Sequence, residues 1–442
     1  MRFRWILVPV LAVAAVAADT DQNPPDWIAP AIPLDQSLPS WIHISGQYRS
    51  RVERFGNISF KPVADHHDLS ELRVRLTIQP TDWLRLVGET QDARVFLNEH
   101  IANVPPYQDT FDIRQAYVQF NDPGESLFDI VVGRQNLALG EERLVGPSDW
   151  LNQGRTFDLV RLDLHHARFG LSLFASSVVV ARDGVIDHHL EGNNLHGAYG
   201  SLKFTSLTIE PYVLWRVAPG NVKLSENAGR GALNEVTVGA RIVGKVRSLL
   251  EYDVEMDKQT GSLGPDSISS WAGHWNVAKP FDVRLQPRPF VEANYASGTH
   301  DPSSRTWSTF DQIYPSSHDK LGFADQVGWK NIEQVRTGVA ESPGHRWKFT
   351  ETYESFWLAS ARDALYTGSG APVVQSLSGT AGKHVGQELD AWAEWDWRKI
   401  IDIGFGYARF FTGEFLNRVT PGKDYNYPFF YLTYHFTREE TK

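Results

Sequence analysis

Along most of the chain, apolar and polar residues alternate with a period of two. In ELRVRLTIQ (71–79), Leu72, Val74, Leu76 and Ile78 share one face and Glu71, Arg73, Arg75, Thr77 and Gln79 the other, as in a strand with one apolar side. The pattern recurs in HISGQYRSRVE (43–53), WLRLVGETQ, FDIRQAYVQF, LFDIVVGRQ, DLVRLDLH, FGLSLFASSV, HGAYGSLKF, LTIEPYVLW, EVTVGARIV and SLLEYDVEM. It continues through SISSWAGHWNV, RPFVEANYA, IEQVRTGVA, WKFTETYESF, ELDAWAEWDW, IDIGFGYARF and PFFYLTYHF, giving 18 segments, most of nine or ten residues.

The connectors alternate in length. Short turns fall at 80–82, 121–126, 166–167, 205–206, 244–245, 279–286, 342–343 and 398–399. Long polar connections lie at 54–70, 92–110, 136–157, 179–195, 216–234, 257–266, 298–330, 358–387 and 411–427. A soluble sandwich also buries one face of each strand, but tight turns at one end and long loops at the other are the asymmetry of an outer-membrane barrel. PFFYLTYHF carries aromatics at both ends, as interfacial girdles require. Glycines at Gly46, Gly88, Gly197, Gly239, Gly404 and Gly406 interrupt strands without breaking their pattern, as curved sheets demand. The fold predicted is all-β: a transmembrane antiparallel β-barrel of 18 strands, with short periplasmic turns and long extracellular loops. The short turns cannot plug the channel, so restriction is expected from extracellular loops, with 298–330 and 358–387 the longest candidates.

The start of the chain agrees with export. Arg2 and Arg4 precede an apolar run over 5–16 that ends in Ala14, Ala15, Ala17 and Ala18, the form of a signal peptide and too short for a membrane anchor. The expected organisation is a signal peptide at 1–18, a periplasmic segment at 19–40 and a barrel at 41–442. Composition fits, with 15 Trp, 15 Tyr and 24 Phe against 2 Met, and no cysteine for disulfide or thiolate chemistry. A formal charge of −10 argues against a nucleic-acid partner, which needs a basic surface.

The polar member of each alternation should face the lumen. On strands one to three and six these include Arg49, Arg51, Arg73, Arg75, Arg85 and Arg161. Guanidinium groups grip carboxylates bidentately and stay charged at any working pH. A row of them offers a polyanion successive weak sites. On this reading Arg73 and Arg75 are hydrated charges whose replacement by Glu leaves folding nearly intact. Acidic residues gather elsewhere, at Glu251, Asp253 and Glu255 and at Asp390, Glu394 and Asp396, which sets up a transverse field able to orient a solute.

One connector stands apart. EERLVGPSDWLNQGRTFDLVRLDL (141–164) packs Arg143, Arg155, Asp149 and Asp158 around Trp150 and the turn formers Gly146, Pro147 and Gly154. We read these as paired charges that hold a loop folded inward. With Gly133-Arg134-Gln135 and Gly140 before it, and Arg143, Leu144, Gly146, Trp150, Asn152, Arg155, Phe157, Asp158 and Val160-Arg161-Leu162 within it, the stretch resembles the signature of the alginate-export family of outer-membrane barrels. RQAYVQF (114–120) and GYARFFTGEFL (406–416) are weaker matches. The resemblance implies an 18-stranded barrel and passive export of an anionic polysaccharide, and it adds Arg134, Arg143, Arg155 and Asp158 to the pore-lining candidates.

Two other readings stand beside it. A general, sugar-selective or anion-selective porin for uptake has the same physics, since a passive pore has no intrinsic direction. An outer-membrane esterase would use His43 and Ser45, which share a face of strand one, but a third partner is not identifiable. His66-His67-Asp68 and Asp187-His188-His189 are read as polar loop rather than metal ligands, because adjacent side chains on an extended segment point apart and a site needs converging ligands. No cofactor and no metal is expected. The expected partners are an anionic polysaccharide or small solute, outer-membrane lipids and periplasmic export components.

Overall fold

The computed structural model describes residues 37–121, 127–224, 230–247 and 249–437. The expected signal peptide, and the segment 19–40 apart from residues 37–40, lie outside the described residues.

Eighteen strands form one closed sheet. They are β1 Ile42–Phe55, β2 Asp65–Thr81, β3 Leu84–Phe96, β4 Asp109–Phe120, β5 Phe128–Gln135 and β6 Phe157–His166. Next come β7 Phe169–Val180, β8 His188–Lys203, β9 Leu207–Leu224, β10 Arg230–Val246, β11 Leu250–Leu263 and β12 Asp266–Ala278. The last six are β13 Arg288–Ala296, β14 Ile332–Glu341, β15 Trp347–Leu358, β16 His384–Trp397, β17 Ile401–Thr412 and β18 Tyr425–Thr437. Consecutive strands pair antiparallel, and β18 returns to β1 with Phe430 opposite Val52. Closure supplies a ladder partner on both sides of every strand, which a hydrocarbon environment requires. A two-residue strand, Thr306–Trp307, adds parallel to the outer end of β12, and Ala364–Tyr366 pairs with Pro372–Gln375 as a separate hairpin.

Each of the 18 alternating segments lies within or overlaps one barrel strand. The stretches expected as long connections at 216–234 and 257–266 are largely strand instead: β9 and β10 run for 18 and 17 residues, with Asn234 opposite Val217, and Leu233 of β10 opposite Leu263 of β11. A membrane needs only about 9–11 tilted residues per strand, so these ladders stand well above it. There the pattern inverts, with Ala218, Leu233, Leu263 and Ile268 clustered on the inner face and polar residues such as Asn234, Lys258 and Ser262 on the outer one, so the alternation that marks a lipid-facing strand fades although its hydrogen bonds continue. For the same reason β2 begins at Asp65 and not at Glu71.

On β2 the outward residues Leu72, Val74 and Leu76 are exposed, whereas Asp65, His67, Leu69, Glu71 and Thr77 of the other parity are buried. Val132, Val160, Val238, Val291, Val335, Phe405 and Phe430 extend the apolar outer band. Exposed Trp41, Trp83, Phe120, Phe128, Phe169 and Phe204 ring its short-turn end, the level of a membrane interface.

The interior departs from a simple hydrated lumen. Leu144, Val145, Phe310, Ile313, Tyr314, Leu321, Phe323, Val327 and Trp329 form a buried apolar cluster with inward residues of the wall. All nine belong to the connections 136–156 and 297–331, so two extracellular loops are folded into the barrel. Of the two longest candidates for restriction, 297–331 enters the lumen. The connection 359–383 packs against it, with the amide of Gly328 donating to the Tyr366 carbonyl at 2.8 Å.

Two predictions follow from the faces of the wall. Val74→Arg should destabilise the folded barrel by about 2–4 kcal/mol if it lies near the bilayer midplane, read by urea unfolding in lipid vesicles; a loss below about 0.5 kcal/mol would show the faces to be inverted. Cysteine placed at exposed Leu377 should be labelled by an impermeant maleimide on intact cells and cysteine at Lys399 should not, with the reverse result inverting the topology.

Candidate functional site: a lumen crossed by two loops

The inward positions of β1 to β4 carry a bank of arginines, and loop 136–156 lies against it. Arg49 donates to the carbonyls of Asp149 (2.8 Å) and Leu151 (3.1 Å), and Arg51 donates to the Trp150 carbonyl. The Asp149 carboxylate receives Arg73 at 2.9 Å and Arg114 at 2.7 Å. Arg51 also sits 4.1 Å over the Trp150 ring. The indole stacks on His318 at 3.9 Å and meets Phe429 and Tyr431 edge-on. Gly404 and Gly406 make room beneath: a Cβ on either would come within 2.2 Å of the Tyr431 or Phe429 ring.

The same loop crosses to the far wall. In a ring of 18, β12 stands nine strands from β3, and there buried Arg143 meets Glu292 of β13 at 2.9 Å and lies 3.3 Å from His274 of β12. Loop 297–331 joins it midway, where Val145 bridges Tyr314 and Arg155 donates to the carbonyls of Tyr314 (2.7 Å) and Pro315 (3.0 Å). That second loop is gripped by acids. Amides of Phe323 and Ala324 donate to Asp390 (3.2 Å) and Glu388 (2.8 Å), and Asp311 pairs with Arg216. Gly322 allows this approach, since its φ is +87° and a Cβ would lie 2.6 Å from the Glu388 carboxylate.

Basic and acidic side chains thus hold different parts of the two loops, and each wall also contains its own counter-charges. Glu71 takes Arg49 and Arg73 at 2.9 and 2.8 Å, Glu89 takes Arg75 and Arg114 at 2.7 and 2.6 Å, and Glu53 takes Arg51 at 2.7 Å. On the acidic side Arg241 meets Asp253 and Glu210, and Arg336 meets Glu354. Arg73 is thus a loop anchor rather than a hydrated charge, and Arg73→Glu would set a third carboxylate against Glu71 and Asp149.

The remaining candidates divide. Arg75, Arg85 and Arg161 lie between the loops and the short turns and keep part of their surface in the lumen, 23% of the side chain for Arg75 and 28% for Arg161. Arg134 and Asp158 stand opposite each other, bonded at 2.8 Å, on the parity of exposed Val132 and Val160. They face outward near the rim, which corrects their assignment to the pore lining; counting by twos from Val132 and Val160 reaches them on that outer face. Arg114 escaped the sequence reading because a bulge in the β3–β4 register leaves consecutive Arg114 and Gln115 both buried, which alternation cannot show. His66 faces out while buried His67 pairs with Glu53 at 2.8 Å. Glu141, Asp253 and His274 converge closely enough to hold a metal, but Arg143 and Arg241 already occupy Glu141 and Asp253.

Burial works against charge at Glu141, but Arg143 and Lys320 hold its carboxyl down to about 2. Burial likewise opposes ionisation of Asp149, and Arg73 and Arg114 keep it below the usual carboxylate range.

A closed 18-stranded barrel with long outer loops, an apolar outer band and charged inner walls is an outer-membrane channel. The family model for alginate export matches residues 40–429, and the chain belongs to that family. Among solved structures, OccK8 (OprE) of Pseudomonas aeruginosa is similar over 89% of this chain and 98% of its own, at 10% identity and a TM-score of 0.59. OpdK of Pseudomonas aeruginosa, in a structure with vanillate, covers 89% and 98% at 11% identity and a TM-score of 0.57. OccAB4 of Acinetobacter baumannii covers 89% and 97% at 10% identity and a TM-score of 0.55. These likenesses show a shared fold. No curated protein matches the chain.

The lowered carboxyls give a pH prediction. A depressed carboxyl stabilises the folded arrangement above its unfolded pKa of about 4 and loses that contribution as pH falls through the folded value. The contribution of Glu141 and Asp149 to anchoring loop 136–156 should therefore be constant from pH 8 to about 4.5 and weaken between about 4 and 2, seen as rising open-channel noise in planar bilayers. Asp149→Asn should show that noise already at pH 7; a variant as quiet as the parent would remove Asp149 from the anchor.

Proposed function

We propose that the protein is a passive channel for anionic solutes, with an acidic polysaccharide as the class that family membership favours. The observation that carries this is the set of partly exposed inward guanidiniums at Arg75, Arg85 and Arg161, below the loops. Arg49, Arg51, Arg73, Arg143 and Arg155 are engaged in holding loops; the lower three pair within their own wall, Arg75 with Glu89, Arg85 with Gln79 and Arg161 with Asp163, and keep part of their surface toward the lumen. Spaced along β2, β3 and β6, they offer successive weak sites rather than one tight one, as conduction requires. Outer-membrane lipids are its surroundings, and periplasmic export components are candidate partners at the short-turn end.

A second reading, permeation of small carboxylates, is favoured by the two loops bound across the lumen, which narrow the route. The OpdK structure with vanillate, an aromatic monocarboxylate, is a precedent within the fold.

Arg75→Gln with Arg161→Gln should shift reversal potentials toward cations, an effect that fades as salt screens the walls within about 8–10 Å. In the parent channel an added oligouronate should interrupt the current from the short-turn side, and in the double variant at least about threefold less often. Unchanged selectivity and block would refute the anion reading; interruption by small monocarboxylates but not by oligouronates would favour the second reading.

A further inference from the structure

Three carboxylates meet at the outer rim, away from the lumen arginines. Asp109 opens β4, Asp112 follows three residues on, and Asp187 ends the connection between β7 and β8. One carboxylate oxygen from each lies within 4.8 Å of the others, and the three residues are only 1%, 4% and 3% exposed. Oxygens bound to one calcium ion at 2.3–2.6 Å are at most about 5.2 Å apart, so the three already stand at the spacing of a shared ion.

The partners do not balance the charge. Asp112 accepts the Asp187 amide at 2.8 Å and lies 3.9 Å from Arg134, whose guanidinium is engaged by Asp158 at 2.8 Å. Asp187 accepts the Arg182 amide at 2.7 Å and lies 3.5 Å from the Gln153 side-chain amide. Both carboxylate oxygens of Asp109 are buried and meet no hydrogen-bond donor among the described residues. A buried carboxylate without donor or counter-charge is strongly disfavoured. The cluster thus wants positive charge that the described side chains do not supply.

We propose that Asp109, Asp112 and Asp187 form a calcium site at the extracellular rim. The donors are all hard carboxylate oxygens, and Asp109 has both of its own free for bidentate binding, which suits the flexible coordination of calcium better than the strict octahedron of magnesium. The sequence reading set Asp187-His188-His189 aside as polar loop. Asp187 finds its companions on β4, while His189 turns to Asp158 at 3.3 Å. The ion fastens connection 181–187 to β4. Through Gln153, whose carbonyl accepts Gln91 at 2.8 Å while Gln91 accepts Arg73 at 2.8 Å, it also steadies loop 136–156.

The test is calcium titration calorimetry at pH 7.5 on the full chain, folded in detergent and freed of metal with EDTA. One site is expected, with a Kd of about 10⁻⁴–10⁻³ M or tighter, as in extracellular calcium modules. Asp109→Asn and Asp187→Asn should each weaken binding at least about tenfold, while Asp301→Asn, in another outer connection, should not change it. Calcium should also slow amide exchange over residues 181–187 in the unmutated protein, a readout that needs no variant to fold. Absence of binding heat in the unmutated protein, as expected if protons alone neutralise the cluster, would overturn the site. So would binding that survives both substitutions, or exchange over 181–187 that ignores calcium.

Discussion

Peptide groups drawn into a barrel and away from bulk water must find hydrogen-bond partners, and the rest of this structure depends on how that is met. The wall provides them by charge type. Arginines of β1 donate to carbonyls at the tip of loop 136–156, and acids of β16 accept amides of loop 297–331. Charge-assisted bonds of this kind are roughly twice as strong as neutral ones. They also fix direction, because a guanidinium can only donate and a carboxylate can only accept.

The counter-charges follow from the same constraint. Arg49, Arg51, Arg73, Arg75 and Arg114 on the inner face of β1, β2 and β4 would repel one another in a low-dielectric interior, and Glu53, Glu71 and Glu89 are interleaved among them. Asp149 comes down from the loop as the further anion. The loop is therefore part of the electrostatic balance of the wall. On the short-turn side of the loops, Arg75, Arg85 and Arg161 retain surface in the lumen.

How much of this the sequence discloses depends on range. Strand number and the lipid face are local properties: period-two alternation in ELRVRLTIQ assigns Leu72, Val74 and Leu76 outward, and the structure exposes them. Strand ends are less legible where the outer face turns polar, as in the upper parts of β10 and β11 at Asn234, Lys258 and Ser262. The site is least legible, because its partners are far apart in sequence: Asp149 and Arg73 are separated by 76 positions, and Arg143 and Glu292 by 149. The motif around 141–158 suggests a loop held inward by paired charges, but apart from Arg143 with Glu141 the pairs that hold the loop are with β2, β4 and β13. Arg134 and Asp158 do pair with each other, on the outer face. The cluster of Asp109, Asp112 and Asp187 is not legible at all, since it joins the start of β4 to the end of the 181–187 connection.

Amide hydrogen exchange across the folded barrel tests the central claim most directly. If the walls hold the two loops inside, residues 142–155 and 310–325 should exchange as slowly as barrel strands, while exposed residues 376–380 exchange within seconds. Exchange of 142–155 and 310–325 as fast as 376–380 would mean that the loops stand outside the lumen, and would contradict the account.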